Sequence, residues 1–289
     1  MEWKNLGKSQ VLLPAIGLGT WNYTGGVEPI REGIERGAFL IDTAESYGTE
    51  EVVGAAIRGL RDRVLVATKV SPRNFRPRDL AAAAERSLRR LRTDWIDLYQ
   101  LHWPNYTVPI VETMAAMESL IDEGKVRFIG VSNFSVWELQ EAQAALSNCR
   151  IVSNQVHYSL IERSIEQDVF HYCQQAGITV IAYSPLGKQL SRLRQHDPKG
   201  VLPQVASRSG KTVPQAALNW VIAKNNVIAI PKASTVEHVV EDCGASGWRL
   251  AEADMELLKT QIRYRHRGRL ERFAQRWARH AFQLSGRHL

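Results

Sequence analysis

Val64-Leu65-Val66-Ala67-Thr68-Lys69, the stretch from Pro77 to Leu91, and Ile96-Asp97-Leu98-Tyr99-Gln100-Leu101-His102 together decide the fold. Two β-rich, nearly continuous apolar runs flank a segment whose apolar residues recur at helical spacing. Runs of that kind suit strands buried on both faces, as in a parallel sheet, and not the alternation of a sheet with one wet face. The same unit repeats outward. Ile16 to Thr20 and Phe39 to Thr43 precede it, and Val126 to Ser132, Ile151 to Gln155, Ile178 to Tyr183 and Val227 to Pro231 follow, which makes eight strands. Helical patterns lie between them at Pro29 to Gly37, Glu50 to Leu60, Pro109 to Glu123, Ser135 to Ala145, Ile165 to Ala176 and Thr212 to Ala223, several opening on Ser, Thr or Pro as helix starts do. Eight strands alternating with helices predict an α/β fold, a closed (β/α)8 TIM barrel.

The punctuation agrees with the periodicity. Gly37, Gly124 and Gly177 each stand shortly before a new strand, where a left-handed residue ends a helix cheaply. Ahead of the first barrel strand, Trp3 to Leu6 and Gln10 to Leu13 flank Gly7-Lys8-Ser9 and read as a β-hairpin capping the barrel bottom. The longest gap between strands runs from Pro185 to Asn226; within it Gln189 to Gly200 is polar and basic and reads as a long loop, a lid or binding segment. Residues 1–258 are expected to form the barrel unit and residues 259–289 a basic, helical C-terminal extension.

A chain of 289 residues suits one such barrel, and 44% hydrophobic with 23% charged residues is the composition of a soluble globular protein. No apolar run approaches the ~20 residues of a membrane span, and Met1-Glu2-Trp3-Lys4-Asn5 lacks the order of a secretory signal, so a cytoplasmic protein is expected. Cys149, Cys173 and Cys243 are odd in number, widely spaced and without a CxxC pair; they suggest reduced structural residues, not a disulfide framework or a zinc site. The net charge of +7 gathers at the end of the chain, in Arg263, Arg265, Arg267, Arg269, Arg272, Arg276, Arg279 and Arg287. No nucleic-acid recognition motif accompanies it. From Arg263 to Ala281, Leu270, Phe273, Trp277 and Ala281 fall at three- and four-residue spacing, the pattern of an amphipathic helix that docks on the barrel, joins subunits into a homo-oligomer or touches an acidic surface.

In such a barrel the site lies where strands end. The second strand runs out through Asp42, with Tyr47 five residues later; the third ends with Lys69 and the fourth with His102. Singly each has an ordinary explanation, as a helix cap, a solvated lysine or a core histidine. Together they make a proton donor. A tyrosine of ordinary pKa near 10 gives up its proton more readily beside an ammonium, Lys69 supplies that charge, and a partly buried Lys69 needs the Asp42 carboxylate. His102 would hydrogen-bond a substrate carbonyl and orient it toward Tyr47. With no metal-ligand cluster and no Ser or Cys nucleophile beside a base, carbonyl chemistry here needs a cofactor to bring the hydride.

Gly17-Leu18-Gly19-Thr20-Trp21, Ile41-Asp42-Thr43-Ala44-Glu45-Ser46-Tyr47-Gly48, Ala67-Thr68-Lys69, Leu98-Tyr99-Gln100-Leu101-His102-Trp103 and Gly130-Val131-Ser132-Asn133-Phe134 closely resemble the aldo-keto reductase family. The resemblance continues through Asn154-Gln155-Val156, Ala182-Tyr183-Ser184-Pro185-Leu186-Gly187 and Ile230-Pro231-Lys232-Ala233-Ser234, from Trp3 to about Leu258. It implies an NADPH-dependent reductase of aldehydes or ketones, with Tyr47 as general acid supported by Asp42, Lys69 and His102, and hydride passing from the nicotinamide C4 to the carbonyl carbon. It also implies a cofactor site along Gly19, Thr20, Trp21 and Asp42. Ser132, Asn133 and Gln155 would hold the carboxamide, Tyr183 would stack on the nicotinamide, and Ser184, Pro185, Leu186 and Gly187 would grip the pyrophosphate. Lys232, Ala233 and Ser234 would meet the 2'-phosphate, and Glu241 the adenine amino group.

Two departures bear on the dinucleotide. The family's usual arginine appears as His238, and Asp242 stands where asparagine is common, so NADH remains open beside NADPH. Trp21, Trp103 and, outside the motifs, Tyr23 and Tyr106 suggest an apolar cleft around the carbonyl, which Tyr47 and His102 would also contact. Two other readings fit parts of the pattern: a Schiff-base lyase using Lys69, and a cofactor-binding redox sensor or regulatory subunit with slow turnover.

Overall fold

In the computed structural model the described residues are 1–265 together with Glu271, Ala274 and Ala278. The expected basic helix from Arg263 to Ala281, with Leu270, Phe273, Trp277 and Ala281, lies almost wholly outside them. A two-stranded antiparallel hairpin, β1 (Trp3–Asn5) and β2 (Leu12–Pro14), precedes eight parallel strands. These are β3 (Leu18–Gly19), β4 (Leu40–Asp42), β5 (Leu65–Val70), β6 (Ile96–Leu101), β7 (Val126–Ser132), β8 (Ile151–His157), β9 (Thr179–Tyr183) and β10 (Val227–Ile230), paired in chain order. The sheet closes through a parallel bridge between Ile16 and Ala229, with Gly17 N–H donating to Ala229 O at 2.8 Å and Ala229 N–H to Ala15 O at 2.9 Å.

Sequence signals explain the elements. Pro77 opens the helix Pro77–Leu91, Ser135 and Glu138 form a capping box on Val136–Ala144, and Thr212 and Gln215 form another on Val213–Ile222. Gly37, Gly124 and Gly177 all have positive φ (88°, 72° and 70°), the conformation their places before strands require. The gap after β9 differs from the expected loop. It folds into helices Leu190–His196 and Val201–Arg208, because Leu193, Val201, Leu202, Val205 and Ala206 bury a face against the barrel. Helices Val236–Cys243 and Glu252–Gln261 were likewise not read from the sequence.

Strand parity sorts the interior. Leu40, Leu65, Ala67, Leu98, Val152, Ile181, Ile228 and Ile230 form an apolar cluster with Leu6 and Leu13 of the hairpin, so the hairpin plugs the amino-terminal end of the barrel as expected. One step further along the strands the same parity brings in Asp42, Lys69 and Gln100, and Gln155 joins them because an irregularity in the β7–β8 register shifts the parity of β8 after Val152. The larger core lies between the sheet and its helices. Helix packing there is close at Gly54, where an added Cβ would sit 2.6 Å from Leu91 O and 2.8 Å from Arg90 O. Gly54→Ala is therefore expected to lose ~1–3 kcal/mol despite alanine's better helix propensity; urea denaturation would measure it, and a gain in stability would contradict this packing.

Candidate active site

The strand register delivers four reactive groups to one end of the barrel. Asp42 ends β4, Lys69 stands one residue before the end of neighbouring β5, and the two pair across the interior, with Lys69 Nζ 2.6 Å from Asp42 Oδ2. Lys69 is wholly buried, and its ammonium also donates to the Thr43 carbonyl at 2.8 Å. Removing either partner would leave a buried charge uncompensated, a cost of about 3–5 kcal/mol. The other carboxylate oxygen, Asp42 Oδ1, accepts from Gln155 Nε2 at 2.7 Å and from Gln100 Nε2 at 3.3 Å. Gln100 was not identified from the sequence; its signal was its place two residues before His102, on the parity that turns inward. It fits because the facing residue is Gly130, where a Cβ would lie 2.9 Å from Gln100 Cγ and 2.5 Å from Ser153 Oγ.

Above this pair, Lys69 Nζ stands 4.7 Å from the centroid of the Tyr47 ring, and the Tyr47 hydroxyl is 3.3 Å from His102 Nε2. The electrostatics differ from the sequence expectation in one respect. Burial raises the Tyr47 phenol above 10; Lys69 opposes that rise, Asp42 adds to it, and the net direction is upward, not downward. The ammonium offsets desolvation without overcoming it. Lys69 itself is held above its ordinary value although burial pulls it down, because Asp42 and Tyr47 favour the charged form. His102 is pushed down to about 3, first by burial and then by Lys69. At neutral pH the site thus holds a protonated phenol, an ammonium and a neutral imidazole, so the phenol keeps its proton and the imidazole carries none beyond its neutral tautomer's own N–H.

The other predicted positions ring this centre. Thr20 is buried and its hydroxyl donates to Asp42 O at 2.9 Å, while Trp21 is 50% exposed. Trp103 is half-buried. Tyr106 donates its hydroxyl to the Glu138 carboxylate. Tyr23 is a correction: it packs in the core, its hydroxyl on Gly26 O at 2.8 Å, and does not line the cleft.

Along the next strand ends, Asn133 has a positive φ of 64°; its Nδ2 donates to His102 O at 3.2 Å and Ser132 Oγ at 2.9 Å, and its Oδ1 accepts from the Tyr183 hydroxyl at 3.0 Å. Ser132 Oγ donates to Gln155 O at 2.9 Å. Tyr183 stacks on His157 with centroids 5.3 Å apart. Beyond it Ser184, at φ 47°, starts a tight turn through Pro185 and Leu186 that closes with Gly187 N–H on Ser184 O at 2.9 Å. At the far side Gly19 N–H donates to Pro231 O at 2.8 Å, and a Cβ at Gly19 would lie 2.7 Å from Ile230 O. Lys232 is exposed, with no acidic partner among the described residues; Ala233 is buried, and Ser234 Oγ accepts from Thr24 N–H at 3.3 Å. The helix Val236–Cys243, capped by Thr235, carries exposed His238, half-buried Glu241 and buried Asp242.

These residues fit a nicotinamide dinucleotide. Gln155 gives its side-chain N–H to Asp42, and its side-chain oxygen Oε1 has no protein donor among the described residues, which leaves it open to a carboxamide. Lys232 is a cation without an acidic partner among the described residues, just ahead of the helix Val236–Cys243, and is suited to a phosphate.

A parallel barrel whose strand ends bring a phenol, an ammonium, a carboxylate and an imidazole into contact beside such a groove is an oxidoreductase scaffold. The chain belongs to the aldo/keto reductase family: the family's profile matches residues 15–262. It is 43% identical to the methylglyoxal reductase YeaE of Escherichia coli K12 over 260 residues, covering 86% of this chain and 90% of the relative. Among solved structures it is similar to an aldo/keto reductase of Klebsiella pneumoniae in complex with NADP and acetate, at 41% identity and TM-score 0.84, over 92% and 96% of the two chains. It is also similar to the thermostable aldo-keto reductase Tm1743 bound to epalrestat, at 40% identity and TM-score 0.85, over 90% and 100%.

Asp242 generates a prediction of its own. Its carboxyl is buried with no side-chain partner among the described residues, and burial, with Glu241 adding, pushes it up from 3.8 to about 8. The fold therefore binds a proton that the unfolded chain has released between those values, and stability falls as pH rises through that window. Asp242→Asn removes the titration. The gain in stability over the parent should be ~1–3 kcal/mol larger at pH 9 than at pH 4, as expected for relief of a buried unpaired group; thermal melts at both pH values would show it, and equal gains would refute it.

Proposed function

We propose that this chain is an NADPH-dependent carbonyl reductase that converts aldehydes or ketones to alcohols, with Tyr47 as the proton donor. The observation that carries the proposal is the continuous contact chain from Asp42 through Lys69 and Tyr47 to His102. A substrate carbonyl oxygen placed between the Tyr47 hydroxyl and the neutral His102 ring receives a hydrogen bond that fixes its direction. As negative charge develops on that oxygen, the Tyr47 proton moves to it, and the Lys69 ammonium stabilises the phenolate left behind. Asp42 keeps Lys69 charged and in place. When bound, the reduced nicotinamide supplies the hydride; Ser132, Asn133 and Gln155 would hold its carboxamide, Tyr183 its ring face, the Ser184–Gly187 turn the pyrophosphate, and Lys232 through Ser234 the 2'-phosphate.

Lys232 supports NADPH, as do the relatives of known structure with NADP; His238 in the helix that follows leaves NADH as a weaker second cofactor. Trp21 and Trp103 support substrates with an apolar or flat body, and the similarity to a methylglyoxal reductase supports small ketoaldehydes within the same class. The lyase reading loses ground on Lys69: an imine-forming amine must shed its proton, and Lys69 is paired, buried and shifted the opposite way. No observation favours a regulatory subunit over an enzyme. The division into a barrel unit over residues 1–258 and a basic extension over 259–289 belongs to the proposal, as does a cytoplasmic location. Three free cysteines support the latter, and no described helix is long and apolar enough to cross a membrane.

Two expected outcomes test the reading. Fluorescence titration should give tighter binding of NADPH than NADH, followed by steady NADPH oxidation when methylglyoxal or an aromatic aldehyde is added; binding without turnover would sink the reductase. Tyr47→Phe should lower kcat/KM by about 10²–10⁴-fold with NADPH affinity nearly unchanged, and parental activity in that variant would remove Tyr47 from its role.

A further inference from the structure

Glu45 lies in the short link between Asp42 and Tyr47, and its side chain is only 4% exposed. A carboxylate is costly to bury, and one oxygen of this one is satisfied by a single neighbouring segment, with Arg86 beside the other. Its Oε1 accepts from the backbone N–H of Ser71 at 2.6 Å and from Asn74 Nδ2 at 2.8 Å. Its own backbone N–H donates to the carbonyl of Lys69 at 3.2 Å. Glu45 thus grips the stretch from Lys69 to Asn74 at three points, two of them charge-assisted. From that clamp the chain turns at once, with Tyr47 N–H on Ala44 O at 3.0 Å, and presents the phenol over the Lys69 ammonium.

We propose that Glu45 is a positioning residue: by tying the Tyr47 link to the segment after Lys69, it fixes the distance between the Lys69 ammonium and the Tyr47 ring. The acidity of the phenol then depends on a residue that touches neither the hydroxyl nor the ammonium. The inference rests on the reading of Tyr47 as the proton donor only for its catalytic consequence. The charged and titratable groups around Tyr47 are Asp42 from β4, Lys69 from β5 and His102 after β6. Around Glu45 they are Arg86 of the helix Pro77–Leu91, whose Nη2 is 3.8 Å from Oε2, and Tyr99 of β6. Loosening the clamp weakens the one nearby group that opposes the burial of the phenol. Its ionisation should therefore move to higher pH, by roughly half a pH unit for each ångström added to a ~5 Å charge separation at an effective dielectric near 20.

The experiment is a carbon-13 NMR titration of Cζ-labelled tyrosine in the full chain, with the Tyr47 resonance assigned from the Tyr47→Phe spectrum, alongside the pH profile of kcat/KM. Glu45→Ala should move the Tyr47 titration and the basic limb of the profile upward together and lower kcat by about 10–100-fold, as misplacement of a reacting group does. Glu45→Gln keeps an acceptor for Ser71 and should recover most of both. Asn74→Ala removes one tether without altering charge and should give a smaller shift of the same sign; if Glu45→Ala does not fold, this variant decides alone. A Tyr47 titration unchanged in Glu45→Ala and Asn74→Ala, or Glu45→Gln as impaired as Glu45→Ala, would overturn the inference. The NMR shift separates it from the functional reading: a moved titration in a protein whose Tyr47→Phe variant keeps full activity would leave the clamp standing and remove only its catalytic meaning.

Discussion

The buried pair between Lys69 and Asp42 is the constraint on which the upper half of the barrel depends. A wholly buried ammonium is tolerated only with a carboxylate and further hydrogen bonds around it, so the layer containing Lys69 has to be polar. That layer is built from Asp42, Gln100 and Gln155 on inward strand positions, with the backbone carbonyl of Thr43 just past β4. Gly130 gives Gln100 its space. Below it the interior is apolar and sealed by Leu6 and Leu13 of the hairpin, which keeps bulk water from the underside of the pair. The phenol then rests on an ammonium that has nowhere else to go, and the neutral imidazole completes the site from the next strand.

Much of this was legible in the sequence, for physical reasons that can be named. A parallel barrel buries both faces of each strand, so every strand reads as an apolar run, and a lysine or aspartate at the end of such a run stands out. Lys69, Asp42 and His102 were found that way. Gln100 was not, because a glutamine inside Leu98-Tyr99-Gln100-Leu101 carries no signal until strand parity shows that it faces Asp42. The helix Leu190–His196 was missed because six of its seven residues are polar, basic or exposed apolar, and only Leu193 is buried. The direction of the Tyr47 shift was missed for a related reason: the neighbouring charge is visible in a sequence, and the depth of burial that outweighs it is not.

The groove beside the acid–base group has a different construction. Asn133 and Ser184, at the ends of β7 and β9, both adopt positive φ, which non-glycine residues seldom do. Each bends the chain away from its strand at once. Asn133 is held by four partners from four successive strand ends, His102, Ser132, Gln155 and Tyr183, with its own N–H on the Gln155 carbonyl at 2.9 Å. Local strain of this kind persists where surrounding contacts over-determine it, and it concentrates at functional sites. Here it brings amide and hydroxyl groups to the rim where a carboxamide can meet them.

The two ends of the groove differ in how closely they keep the family pattern, and the difference has a mechanistic meaning. At the chemical end the acid–base residues are intact and interlocked, so a change there alters the proton, the ammonium and the carboxylate together. At the far end His238 and Asp242 sit on one short helix, His238 exposed and Asp242 buried, and neither contacts the acid–base group. If the dinucleotide binds as proposed, binding energy gained or lost there is common to the ground state and the transition state, so it changes how tightly the dinucleotide is held and which one is preferred, without changing the barrier to reduction once it is bound. On the proposed reading, cofactor preference is thereby free to vary while the chemistry stays fixed.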